Sequence, residues 1–214
     1  MGYLIFGALA LFIIYKFYSI YLRKSRRNYI QNYRFKPIIK KRLLKTYPHL
    51  TQNDLNLVFK ALRDYYELSL RAKNNLLAMP SQVVDVAWHE FILTTREYTH
   101  FCHNAFGKYL HHTPTEAMAK PQMAQKSIKR IWHLACQKEQ INHLQPTTLP
   151  LLFAIDTILN IEDGFSYTLN CDPSKGEYCA SHIACSSGGC SGGDSSSGDG
   201  AGCSSGCGGG CGGG

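Results

Sequence analysis

Apolar positions fall into several distinct patterns along this chain. The first is a nearly unbroken run, MGYLIFGALALFIIYKFYSIYL, in which Lys16 is the only charge. A helix over residues 2–22 would be about 31 Å long, enough to cross a hydrocarbon core of about 30 Å. The second pattern is periodic. Leu55, Phe59, Leu62, Tyr66 and Leu70 recur at helical spacing behind Thr51, a good N-cap, and Asp54. They predict a helix from Thr51 to about Asn74. Pro80 then blocks continuation and Ser81 caps a restart. Val84, Trp88, Phe91, Thr95, Tyr98, Cys102 and Ala105 follow at alternating steps of four and three. That seam predicts one continuous helix ended by Gly107.

Further on, Thr113 and Glu116 with Pro114 between them form a capping-box pattern opening a short helix that stops at Pro121. The next helix is expected over 122–140, with Met123, Ile128, Ile131, Trp132 and Ala135 on one side. The run TTLPLLFAIDTILNI is too short to span a bilayer and reads as a buried core helix. No useful period-two segment occurs, so the predicted fold class is all-α. Beyond Ser186 the pattern ends: the last 29 residues hold 14 Gly, 8 Ser and 4 Cys, with no side chain large enough for a core. The expected organisation is a transmembrane anchor (1–22), a basic juxtamembrane segment near anionic lipid (23–45), a helical domain (46–163), a Cys-containing linker (164–185) and a disordered Gly/Ser/Cys-rich tail (186–214).

Charge changes this picture in one respect. Residues 1–53 hold eleven Lys and Arg and no acid, so the net +8 leaves the remainder at −3. A basic end rather than a basic domain argues against nucleic acid as a partner and for a membrane. The cluster RKSRR follows the apolar run instead of preceding it, the reverse of a cleaved signal peptide. The positive-inside rule then puts the N-terminus outside the cell (inner) membrane and everything from Arg23 onward in the cytoplasm. Nine cysteines in a reducing compartment read as free, reactive or metal-bound thiols, not as a disulfide framework.

Candidate chemistry centres on VVDVAWHEF, residues 83–91. Asp85 and His89 are four apart on a helix and share a face. A carboxylate there orients an imidazole, which makes half of a catalytic dyad, part of a metal site, or a simple stabilising pair. In the expected single helix Cys102 lies about 20 Å beyond His89 and cannot be its nucleophilic partner. Cys102, His103, His111 and His112 form a second group that can offer ligands to Zn²⁺ or another soft ion, with His89 or His133. Cys203, Cys207 and Cys211, every fourth residue of the tail, are a third candidate ligand set.

The stretch Val84-Asp85-Val86-Ala87-Trp88-His89 resembles the helix shared by the glycine-rich domain-containing protein-like family, an apolar residue followed by D-x-x-W-H. The continuation REYTHFCHNAFGKYLHHTP is similar to bacterial, membrane-anchored members, and 186–214 matches their Gly-rich segments. The resemblance implies a helical domain over roughly 50–160 and no agreed activity. Larger members carry a second His two residues after the first; Phe91 stands there instead.

These features lead to the expectation of a membrane-anchored helical binding or interaction module, non-enzymatic, with a protein or small ligand as partner and a thiol-bearing tail. The alternative is a metal-binding or thiol-dependent enzyme centred on Asp85 and His89. The orientation is directly measurable: a membrane-impermeant thiol reagent should leave Cys203, Cys207 and Cys211 unlabelled in intact cells. Labelling of any of them would invert the topology.

Overall fold

The computed structural model describes residues 2–73, 75–112, 121–169, 178–179 and 183. Among these it is all-α, with seven helices and one two-residue parallel pairing. The helices are α1 (Gly2–Gln31), α2 (Pro37–Thr46), α3 (Gln52–Ala72), α4 (Gln82–Ile92), α5 (Thr95–Phe106), α6 (Pro121–Glu139) and α7 (Leu151–Ile158). The strands are β1 (Tyr167–Thr168) and β2 (Tyr178–Cys179). The capping box expected at Thr113 and Glu116 lies outside the described residues, as do Cys203, Cys207 and Cys211.

α1 is one helix of 30 residues, about 45 Å long. Its apolar part is exposed on all sides and is long and apolar enough to cross a membrane. The helix does not stop where that run stops. It continues through the basic cluster until Tyr29 and Ile30 meet the core. The basic segment 23–45 is thus also a core element, contributing Ile30, Phe35, Ile39 and Leu43.

α5 lies antiparallel to α1. From Lys36 back to Arg26, the chain meets α5 in reverse order. Lys36 pairs with Glu97, Tyr33 lies tilted against Phe101 at 4.6 Å, Tyr29 stacks on the same ring at 5.9 Å, and Arg26 lies over Gly107. Gly107 is the left-handed C-cap of α5 at φ 74°, a conformation that disfavours any side chain.

α3 is the central helix. Its N-terminus is closed by the predicted capping box: Thr51 Oγ1 accepts from the Asp54 amide, and the Asp54 carboxylate accepts from the Thr51 amide at 2.8 Å. One face carries Leu55, Phe59, Leu62 and Tyr66 into the core. Another carries two buried acids, Asp64 and Glu67. Glu67 accepts from Gln31 at 2.6 Å and pairs with Arg27, Arg71 and Lys138 at 2.9, 2.7 and 2.5 Å. Burial raises the Glu67 pKa, but the Lys138 hydrogen bond and the three cations outweigh it and hold the carboxyl below its usual range. The cluster ties α1, α3 and α6 in one register, because removing one partner would strand a buried charge.

α4 begins as expected at Ser81, with a reinforcement from α7. The buried Asp156 accepts from Ser81 Oγ at 2.7 Å and from the Gln82 and Val83 amides at 2.7 and 3.2 Å. A carboxylate on open helix amides complements both the unpaired donors and the helix dipole. Oδ2, which takes the Gln82 amide, also accepts from the Phe165 amide at 3.0 Å.

The expected single helix from Ser81 to Gly107 is two helices. Leu93 keeps helical dihedrals, but Thr94 leaves the helical path at φ −87° and ψ 61°, and its Oγ1 closes back onto the Phe91 carbonyl at 2.7 Å. The seam survives the bend: Val84, Trp88, Phe91, Tyr98, Cys102 and Ala105 are buried, and Thr95 alone is exposed. A straight helix could not have placed both halves against α3 and α1. The bend also lets Trp88 Nε1 donate to the Tyr98 hydroxyl at 3.0 Å.

Trp88 is 3% exposed and contacts the rings of Tyr65 and Tyr66 at 5.0 and 5.9 Å. Trp88→Ala should therefore destabilise the protein by ~3–5 kcal/mol in denaturant unfolding. An unchanged midpoint would mean that the indole is not a core element.

Candidate metal centre

The Tyr98 hydroxyl, having accepted from Trp88, donates to the Leu110 carbonyl at 2.5 Å. That bond holds the segment after Gly107 against α5, and His112, two residues on, reaches the face of α4 that carries Asp85 and His89. His112 Nε2 lies 2.8 Å from Asp85 Oδ1, and His89 Nδ1 lies 3.2 Å from Asp85 Oδ2 and 3.0 Å from the Asp85 carbonyl. The two imidazoles are 4.3 Å apart between centroids. Trp88 forms the floor, its ring edge-on to His112 at 4.5 Å. One ligand atom from each of Asp85, His89 and His112 falls within 4.8 Å of the others.

Two imidazoles and one carboxylate form a donor set suited to Zn²⁺ or Fe²⁺. At Zn–N and Zn–O distances near 2.0–2.1 Å, tetrahedral ligand atoms stand about 3.3 Å apart, close to the two contacts seen here. Three protein ligands leave a position for water or an incoming molecule. The accessible side is that of His89, whose side chain is 49% exposed, against 24% for Asp85 and 11% for His112.

The remaining candidates lie elsewhere. His103 is exposed on α5, and His111 packs on Tyr109 at 4.8 Å. The His133 ring faces His143 at 4.5 Å. Cys102 and Cys136 are buried free thiols. Burial pushes the Cys102 thiol up, only partly offset by hydrogen bonds with Leu110 and Tyr98. Burial, with Glu139 adding to it, pushes Cys136 up to about 12. Neither supplies thiolate at neutral pH.

The residue that sequence reasoning could not single out is His112, one of four in a loosely defined group. Its pairing with Asp85 spans 27 residues and depends on the return of the loop. Tyr98 went unrecognised as its positioning residue because it reads as an ordinary seam residue.

Alkylation by iodoacetamide at pH 7, read by peptide mass spectrometry, should be slower for Cys102 and Cys136 in the native protein than in the urea-unfolded chain. For Cys136 the difference should be roughly a hundredfold or more. Comparable rates in both states would restore these thiols as candidates.

No curated protein and no solved structure matches this chain significantly. The UCP032817-like family profile does, over residues 25–186, which include the whole of the Asp85, His89 and His112 site. The chain belongs to the UCP032817-like family.

Proposed function

We propose that this protein is a single-pass membrane protein whose helical domain binds one divalent transition-metal ion through Asp85, His89 and His112 and presents it to an incoming ligand. The observation that carries the reading is the convergence of three metal-competent side chains, two from α4 and one from the segment after α5, within 4.8 Å. The ligand of the binding module expected from the sequence is, in this reading, a metal ion. In this reading the D-x-x-W-H stretch, shared in resemblance with bacterial glycine-rich domain-containing proteins, is two metal ligands and the aromatic floor beneath the third.

The anchor is α1. Its exposed apolar part supports a membrane location, and the cationic cluster after it supports a cytoplasmic domain at the inner membrane. A second reading, a metal-dependent enzyme at the same centre, is favoured by the exposed His89 side, which leaves room for a substrate beside the ion. Thiol-dependent catalysis by Cys102 or Cys136 is disfavoured by their burial.

The test uses the full chain in detergent, because residues 23–45 carry core side chains that a truncation at 46 would remove. After chelator treatment, titration with Zn²⁺ and with Fe²⁺ should saturate at one ion per chain in a variant with Cys190, Cys203, Cys207 and Cys211 changed to Ser. His89→Ala, His112→Ala and Asp85→Asn should each weaken that binding by about tenfold or more, with unchanged helical circular dichroism. Metal lost with the tail cysteines but retained in all three site variants would overturn the proposal.

A further inference from the structure

α1 carries a second polar feature just beyond its apolar run. Ser25, Asn28, Tyr29 and Asn32 recur at helical spacing on one face of the helix. Together with Tyr33 and Arg34 they line an open cleft of about 560 Å³. Tyr29 and Tyr33 form its aromatic wall, with rings 5.8 Å apart. Asn32 Nδ2 donates to Asn28 Oδ1 at 2.9 Å, which leaves the Asn28 amide hydrogens pointing away from that bond.

Charge in this region is unbalanced. Arg27 is committed to Glu67, and Arg26 lies over Gly107. Among the described residues, Arg23, Lys24 and Arg34 have no acidic partner, and no acid precedes Asp54. The cleft thus offers a guanidinium, a hydroxyl, an amide and phenols, with no carboxylate among its lining residues. These groups fit a singly charged phosphate diester.

Position selects the source of that phosphate. Ser25 follows Leu22 by three residues, about 4.5 Å along the helix. The headgroup layer is about 5–8 Å thick on each side of the hydrocarbon core. Because α1 is continuous, the cleft begins at the depth where lipid phosphates lie. We infer that the cleft lined by Ser25, Asn28, Tyr29, Asn32, Tyr33 and Arg34 binds the headgroup of one anionic phospholipid, with Arg34, Ser25 and the Asn28 amide on its phosphate. The inference rests on the membrane-spanning reading of α1. It adds a purpose to that anchor: a lipid seated between α1 and the segment after it would fix the rotation of the domain about the membrane normal.

Native mass spectrometry of the full chain released from detergent micelles, with phosphatidylglycerol or phosphatidylcholine added, tests this. One phosphatidylglycerol should stay bound, with affinity at least about tenfold above that for phosphatidylcholine. Arg34→Ala, and Ser25→Ala combined with Asn28→Ala, should remove that preference. Arg23→Ala combined with Lys24→Ala, equally basic but outside the cleft, should retain it. Equal losses in the Arg34 and the Arg23/Lys24 variants would reduce the effect to general polybasic attraction and overturn the site. Soluble glycerol 3-phosphate competing at the same concentration as the lipid would overturn the lipid assignment. Failure of the membrane reading has a separate signature: the wild-type chain would be extracted from membranes by alkaline carbonate.

Discussion

The hydrogen-bond relay from Trp88 through Tyr98 to the Leu110 carbonyl is the constraint on which the candidate site depends. All three groups are polar and sit in or against an apolar core, so each must find a partner or incur a desolvation penalty. The Tyr98 hydroxyl satisfies two at once, accepting from the indole and donating to the carbonyl. In doing so it fixes the angle between α4 and α5 and the path of the loop beyond Gly107. His112 reaches Asp85 only because that path is fixed. One phenol oxygen therefore links the packing of the core to the assembly of the site.

A second constraint sets where the site stands. α1 is a single helix from the apolar run to the core, and the buried Glu67 cluster joins it to α3 and α6. α5 runs antiparallel to it, with Phe101 against Tyr29 and Gly107 under Arg26. A stiff helix with this many attachments fixes the direction in which its apolar part leaves the domain. Gly107 lies beside Arg26, towards the apolar end of α1, and the chain then returns to Tyr98, away from that end.

The floor and the ends of α4 show how little of the site is left free to move. Asp156 pins its first turn through three donors, and Trp88 packs its buried face against α3. Asp85 lies one turn past the pinned end. Its carboxylate is shared between two imidazoles, one nearly buried and one half exposed. That asymmetry suits a metal held from the protein side and open to solvent. Cys102 and Cys136 lie inside the core.

Much of this was legible in the residues themselves. The long apolar helix, the Thr51 capping box, the Ser81 restart, the Gly107 stop, the inward seam and the all-α class follow from local physics: side-chain periodicity, caps, and the backbone limits of Pro and Gly. Asp85 and His89 were legible as a pair because four residues on a helix place them together. The break at Leu93 and Thr94 was not, since the seam keeps its spacing across the bend and periodicity cannot register a change of axis. Nor was the inclusion of 23–45 in the core, where the density of cations masked Ile30, Ile39 and Leu43. The choice of His112 among its neighbours, the capping by Asp156 and the charge cluster at Glu67 belong to tertiary structure alone. Each joins residues far apart in the chain, and only the closing of the bundle around them selects which polar groups must meet.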